Sequence, residues 1–364
     1  MRVAHVVPAL FGPGGVTGGA ERYAFELARH MAAHVPTTLV TFGDRDRTER
    51  VGPLDLKVIG NPWYVRGQRA NPFDIRLFAA LGGADIVHCH QQHIVSSSAV
   101  ALWGRFRRRR VFVSDLGGGG WDVSAYISTD GWFHGHLHLS DYSRRVYRHE
   151  GAATAQVIGG GVDVDKFSPD PSVVRDGGAL FVGRILPHKG IDDLIRALPR
   201  GMSLSIVGPR PDDGTVATLA SLAAGRNVSF THGLDDDGIV REYRRARCIV
   251  LPSVYRASDG METVVPELLG QTLLEGMACA APAICTNVAS LPEIVDDGVT
   301  GFVVPPNDSA SLRDRLETFH RQPERARSMG EAARTRVLER FTWDRVVGRC
   351  LEAYEARFLR ADAS

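Results

Sequence analysis

Glu267 and Glu275 are separated by seven residues in Pro266-Glu-Leu-Leu-Gly-Gln-Thr-Leu-Leu-Glu-Gly-Met-Ala-Cys-Ala-Ala-Pro282. The spacing predicts one carboxylate in a loop and the second in the first turn of a helix. Thr272 and Glu275 fit a T-x-x-E capping box, Leu273, Leu274, Met277 and Ala278 form its apolar stripe, and Pro282 ends it. A helix N-terminus presents unpaired N–H groups and partial positive charge, which suits a phosphate. Two carboxylates flanking such a seat would let one grip hydroxyls beside the phosphate and the other a sugar beyond it, as a nucleotide-sugar requires. Against this stands a plain alternative, in which Glu275 only closes its own helix.

Two further segments offer anion chemistry. In Phe181-Val-Gly-Arg-Ile-Leu-Pro-His-Lys-Gly-Ile191 a strand delivers Gly183 and Arg184 to a loop, and Lys189 stands at the mouth of the next helix. This is not a Walker A loop, yet Arg as a fork and Lys as a point charge could clamp a diphosphate. Solvated surface cations are the alternative. Gly12-Pro-Gly-Gly-Val-Thr-Gly-Gly-Ala-Glu21 joins a first strand to a helix, so its backbone could approach a phosphate closely. Its glycine spacing does not match the G-x-G-x-x-G dinucleotide fingerprint, although Asp44 is roughly placed for one.

The elements that must hold these residues alternate along the chain. Apolar runs predict strands at Val3–Pro8, Thr37–Phe42, Asp85–Cys89, Val111–Ser114 and His136–Ser140, then at Ala179–Val182, Leu204–Val207, Val228–Thr231, Cys248–Leu251 and Ala283–Thr286. Between the first two, Ala24, Leu27, Ala28 and Met31 recur at helical spacing. The expected fold is therefore α/β, two doubly wound parallel-sheet domains with a ligand cleft at the strands' carboxyl ends. A length of 364 residues suits two domains. The Gly-, Pro- and Asp-rich stretch from Ile158 to Pro171 marks the boundary, giving domains at 1–160 and 161–342, with an amphipathic last helix from Trp343 within 343–364.

Composition narrows the partners. The chain is 44% hydrophobic and 23% charged with net charge +1, so nothing draws it globally to nucleic acid or an anionic membrane. The five cysteines show no C-x-x-C spacing, which fits a reducing cytoplasm. The first apolar run, broken by His5 and Pro8, reads as a buried strand and not a signal peptide. No stretch approaches the roughly 18 to 20 apolar residues of a membrane span.

Together the motifs resemble the retaining family-4 glycosyltransferases of the GT-B architecture. The resemblance rests on Gly18-Gly19-Ala20-Glu21-Arg22, Val162-Asp163, Gly183-Arg184 with Lys189-Gly190, Gly208-Pro209, Leu251-Pro252-Ser253, Glu267-x7-Glu275, and Leu291-Pro-Glu-Ile-Val-Asp-Asp-Gly-Val-Thr-Gly-Phe-Val-Val-Pro-Pro306. It implies an N-terminal acceptor-binding domain, with the last helix packing back on it, and a C-terminal donor-binding domain. By the same resemblance Arg184 and Lys189 bind the donor diphosphate, Glu275 the ribose hydroxyls, and Glu267 the transferred sugar. The backbone of Gly270, Gln271, Thr272 and Leu273 meets sugar and phosphate, Gly183 and Gly208 line the donor site, and Gly18 and Gly19 approach it from the first domain. The expected co-substrates are a UDP-sugar first, GDP-mannose second, and a hydroxyl-bearing acceptor such as a glycan or natural product, with no cofactor and no metal.

Departures from the family pattern locate the open questions. Leu268 and Leu269 replace the usual E-G-F-G residues, and Val254–Pro266 lengthens the approach to Glu267. Many members carry a His in the loop after the fourth strand; here Ser114-Asp115-Leu116 and four glycines stand there, so Asp115 inherits any such role. His90, Asp115 and Trp121 are the acceptor-side candidates, with Gly117–Trp121 as a mobile loop. Asp44/Asp46, Asp163/Asp165 and Asp235/Asp237 read as turns and caps ahead of metal pairs. His88, His90 and His93, and His134, His136 and His138, read as structural, since no carboxylate set completes four zinc ligands. Arg105–Arg110 offers at most a weak peripheral membrane contact and reads first as a solvated helix end. The rival classes are an NAD-dependent oxidoreductase, a non-catalytic nucleotide-sugar-binding protein and a glycogen-phosphorylase-like enzyme, for which no pyridoxal lysine is evident.

Overall fold

The computed structural model describes residues 1–10, 18–117 and 119–361. The chain divides into two compact units, Met1–Gly161 with Trp343–Ser364, and Val162–Thr342.

The first unit is built on β1 (Val3–Leu10), β2 (Thr37–Gly43), β3 (Arg47–Val51), β4 (Leu54–Gly60), β7 (Ile86–Cys89), β8 (Arg110–Val113), β9 (Gly135–His138) and β10 (Ala155–Val157). A two-stranded ribbon of β5 (Trp63–Tyr64) and β6 (Pro72–Phe73) lies apart from it. The sheet order is β10-β9-β8-β7-β1-β2-β4-β3, parallel throughout save for the antiparallel edge strand β3. Strands β7, β8 and β9 are buried along most of their length, as unbroken apolar runs in a doubly covered parallel sheet must be. The helix Gly19–Met31 buries Tyr23, Ala24, Leu27, Ala28 and Met31, the stripe its periodicity predicts.

Four strands of this sheet, β3, β4, β9 and β10, differ from expectation. The hairpin β3–β4 is polar on its exposed side, Arg47-Thr-Glu-Arg reading as loop, while β4 alternates buried and exposed over Leu54–Lys57. Ser140, expected to end a strand, instead caps the helix Asp141–Val146: its hydroxyl accepts the Ser143 N–H at 3.1 Å, in a reciprocal capping box. The short β10 had no apolar run to announce it. The last helix, Trp343–Ala361, packs within this unit, with the Trp343 ring 5.2 Å from Tyr23 and the Tyr354 ring 4.8 Å from Phe112.

The second unit carries β11 (Ala179–Val182), β12 (Leu204–Val207), β13 (Val228–Thr231), β14 (Cys248–Leu251), β15 (Ala283–Thr286) and β16 (Gly301–Val304). The first five are the strands expected; β16 is additional. All are parallel, in the order β13-β12-β11-β14-β15-β16. Counted within the unit this is 3-2-1-4-5-6, the doubly wound order whose direction reverses between β11 and β14. A ligand crevice therefore opens at the carboxyl ends of those two strands, which is where Arg184 and Ser253 follow.

Candidate functional site

Chain reversal at the end of β11 places Arg184 in solvent, and the short turn Pro187–Lys189 follows. Gly190 closes that turn with φ of 63°, and a Cβ there would lie 2.1 Å from the Pro252 carbonyl oxygen. Only glycine permits both the left-handed backbone and this approach. The Val254 N–H donates to the His188 carbonyl at 2.8 Å, fastening the same turn to the segment after β14. Gly208, at the end of β12, is equally close to Gly183: a Cβ on it would stand 1.9 Å from the Gly183 oxygen.

This packing brings Lys189 to Glu267. Lys189 Nζ lies 2.5 Å from Glu267 Oε1, and Ser253 Oγ donates to the same oxygen at 2.6 Å. The Ser290 hydroxyl donates to the Glu267 carbonyl at 3.3 Å. Glu267 is only 8% exposed, so its charge is held by a cation and a hydroxyl and not by water. His188 is kept below its ordinary pKa, first by burial and then by the Lys189 charge, with Glu267 opposing and Arg184 adding to the effect. Arg184, His188, Lys189 and Glu267 thus share one electrostatic neighbourhood. His188 and Ser290 were not singled out from the sequence, and Ser253 was visible only within Leu-Pro-Ser.

The capping box at Thr272 and Glu275 does not form. Helix Gln271–Ala278 is capped by Gly270 at φ of 87° with no side-chain cap bond, so Glu275 sits beyond the first turn. A Cβ at 270 would meet Leu291 Cδ2 at 2.8 Å, which excludes a serine or threonine cap. The cap residue itself lays no side chain over this N-terminus, whose partial positive charge suits an anion. Glu275 instead turns inward, 5% exposed, where its Oε2 accepts the Tyr243 hydroxyl at 2.9 Å. Tyr243 comes from the helix Asp236–Arg245 and carried no signal of its own in the sequence.

In the first unit, Gly18 caps the helix that Gly19 begins, and a Cβ on Gly19 would meet nothing within 4 Å. The rest of that glycine loop, 11–17, lies outside the described residues, as does Gly118. His90 follows β7 but is buried, its Nε2 2.7 Å from His5 Nδ1. Burial, then the neighbouring His88 and His5, holds its pKa well below the ordinary value. It therefore enters as a neutral interior group and not as an open acceptor contact. Trp121 is also more constrained than a mobile loop implies: Arg66 lies 3.7 Å over its ring and Asn71 Nδ2 donates to its carbonyl at 2.6 Å.

Asp115 is the acidic member of the acceptor-side candidates. Burial raises its pKa, against the opposing Gly117 N–H, His93 and Tyr147. A raised carboxyl binds its proton more tightly folded than unfolded. Stability is therefore lost as pH rises from the unfolded value through the folded one, and the loss persists at neutral pH. Asp115→Asn is expected to raise the melting temperature at pH 7 and leave it unchanged near pH 3; a lower melting point at pH 7 would contradict the buried-charge account.

The remaining acidic pairs serve local structure. Asp46 binds Arg76 and the Gly60 N–H, Asp163 closes a turn on Asp165 and Lys166, and Asp235 caps its helix through the Gly238 N–H. In the arginine run, Arg109 pairs with Asp85 at 3.2 Å and Arg110 starts β8, while Phe106 is exposed. No helix among the described residues is long and apolar enough to cross a membrane.

Comparison with known proteins agrees with this architecture. The model for glycosyl transferases group 1 matches residues 170–336, and that for glycosyltransferase family 4 matches 17–166. A GDP-mannose-dependent alpha-(1-6)-phosphatidylinositol monomannoside mannosyltransferase of Mycolicibacterium smegmatis is 32% identical over 200 residues, 50% of this chain. The matched stretch spans about half of that relative's own length, 51%. An alpha-maltose-1-phosphate synthase of the same organism is 29% identical over 325 residues, 77% of this chain and 81% of the relative. Among solved structures, a sucrose-phosphate synthase from Thermosynechococcus elongatus superposes with a TM-score of 0.76 at 20% identity, over 99% of this chain and 100% of that one. HepE of Anabaena, solved with UDP and glucose, gives 0.74 at 16% identity, over 98% and 100%. At these identities the structural likeness establishes the fold.

Proposed function

Because the chain belongs to the family-4-like glycosyltransferases of the GT-B fold, we propose that it is a retaining hexosyltransferase, moving a hexose or amino-hexose from a nucleoside-diphosphate sugar to an acceptor hydroxyl in the cytoplasm. The observation that carries the reading is the meeting of Lys189, Glu267 and Ser253 beside the switch point between β11 and β14. In this reading the second unit holds the donor and the first unit the acceptor, a glycan or natural product.

The chemistry follows from charge. As the bond between the anomeric carbon and the diphosphate breaks, negative charge grows on the leaving oxygen. Arg184, Lys189 and the positive N-terminal end of helix Gln271–Ala278 answer it, the Leu273 N–H itself being spent on the Gly270 carbonyl at 3.0 Å. Glu267 Oε1 anchors Lys189 while its carboxylate faces the sugar, and Glu275 takes the ribose hydroxyls. Gly183 and Gly208 keep backbone close to the donor. The acceptor oxygen bonds to the anomeric carbon on the face the diphosphate leaves, and its proton passes to the leaving phosphate. With cations already at the phosphate, no metal or cofactor is required there.

UDP is the first base to test. GDP-mannose is the second reading, favoured by the mannosyltransferase relatives. A thermal-shift panel of UDP, GDP, ADP and dTDP is expected to raise the melting point with one of them, because only a ligand of the folded state does so. If none moves it, and no labelled sugar is released from UDP-hexose or GDP-mannose, the transferase reading fails.

A further inference from the structure

We propose that Asp130, His136 and His149, in the first unit, form a divalent-cation site whose fitting ion is zinc. Asp130 opens a short turn, Asp130–Trp132; His136 lies on β9; His149 follows the helix Asp141–Val146. One ligand atom from each lies within 4.8 Å of the others. His136 Nε2 is 3.9 Å from Asp130 Oδ1, and His149 Nε2 is 3.7 Å from Asp130 Oδ2. Neither distance is a hydrogen bond.

The imidazoles are what mark the site. His136 is 3% exposed and His149 7% exposed, yet both nitrogens of His136 and Nε2 of His149 have no hydrogen-bond partner among the described residues. Buried polar nitrogens are ordinarily paired, so the two orphaned Nε2 atoms turned on one carboxylate call for a ligand. The surroundings orient the set as a metal's outer shell does. His138 Nε2 lies 3.1 Å from His149 Nδ1, so a proton on Nδ1 leaves the Nε2 lone pair for the ion. Gln92 Nε2 donates to Asp130 Oδ1 at 2.6 Å and Ser128 Oγ to Oδ2 at 3.2 Å.

Two imidazoles and a carboxylate suit zinc and other borderline ions, not magnesium or calcium, which prefer all-oxygen shells. Zinc bonds of about 2.0 to 2.2 Å put tetrahedral ligands roughly 3.4 Å apart. The 3.7 and 3.9 Å separations exceed this by about half an ångström or less, a gap that movement of the half-exposed Asp130 side chain narrows, and water takes the fourth position. The cluster of His5, His88 and His90 elsewhere in this unit keeps one such nitrogen, His90 Nδ1, and no carboxylate. His5 spends its nitrogens on His90 and Met31, and His88 spends its own on Ser114 and Tyr354.

The test uses the untagged full chain, stripped of metal, titrated with zinc against a chromophoric chelator. One equivalent is expected to bind with micromolar or tighter affinity, raising the melting point and giving visible bands when cobalt replaces zinc. Asp130→Asn, on the half-exposed residue, and His149→Ala are each expected to weaken binding at least tenfold, while His90→Ala keeps it. Asp130→Asn should melt with the metal-free wild type, which separates lost ligation from lost folding. No stoichiometric binding, or equal affinity in wild type, Asp130→Asn and His149→Ala, overturns the site. Tighter binding of ferrous iron than zinc in the same assay keeps the site and overturns the choice of ion. None of these readouts depends on transferase activity.

Discussion

Lys189→Ala is expected to lower kcat about a hundredfold, the loss typical of removing one donor to a developing anion. The same substitution strands Glu267, which is 8% exposed and would keep only the Ser253 hydroxyl on its Oε1. Breaking a buried pair from one side costs about 3 kcal/mol or more, so the melting point should fall as well. The double variant Lys189→Ala/Glu267→Gln removes the stranded charge. It should recover much of the melting point without recovering turnover. Arg184→Ala provides the cleaner comparison, because that side chain is exposed and its loss leaves no charge buried. A hundredfold loss there, with an unchanged melting point, isolates the catalytic contribution. Undiminished turnover in both single variants would remove the cationic clamp from the mechanism.

Glu275→Ala is expected to weaken binding of the nucleoside diphosphate by about tenfold to a hundredfold, read by calorimetry. Hydrogen bonds to a charged group contribute about 1.5 to 3 kcal/mol. With the capping box excluded, the structural alternative for Glu275 is packing service that includes the buried Tyr243 hydroxyl. The two roles separate in Tyr243→Phe, which keeps the carboxylate and removes this one bond. A ribose-binding carboxylate predicts a small loss of affinity in Tyr243→Phe and a large one in Glu275→Ala. Equal nucleotide affinity in wild type and Glu275→Ala would confine Glu275 to a packing role, whatever its effect on the melting point.

The sequence alone determined the elements and the inventory of charged groups. The five strands expected in the second unit coincide with β11 to β15: β11, β14 and β15 are fully buried apolar runs, while the edge strand β13 alternates Val-Ser-Phe-Thr. Arg184, Lys189, Glu267 and Glu275 were legible as residue types at suggestive spacings. Local pattern failed where a contact from elsewhere changed the outcome. The T-x-x-E pattern was present at Thr272, yet the helix begins one residue earlier, at Gln271, with left-handed Gly270 packed against Leu291 as its cap, so Thr272 lies inside the first turn. Strand β3 was hidden because an edge strand can be polar on its open side.

Only tertiary structure decided which of these groups meet. Lys189 finds Glu267 across 78 positions, and Glu275 finds Tyr243 across 32. Asp130 joins His136 and His149 because a turn, a strand and a helix end converge on one face of the sheet. Periodicity reports which face of an element is apolar and is silent on which distant element will cover it. The order 3-2-1-4-5-6, and with it the crevice where the cation and carboxylate pair, is set by packing the whole sheet at once.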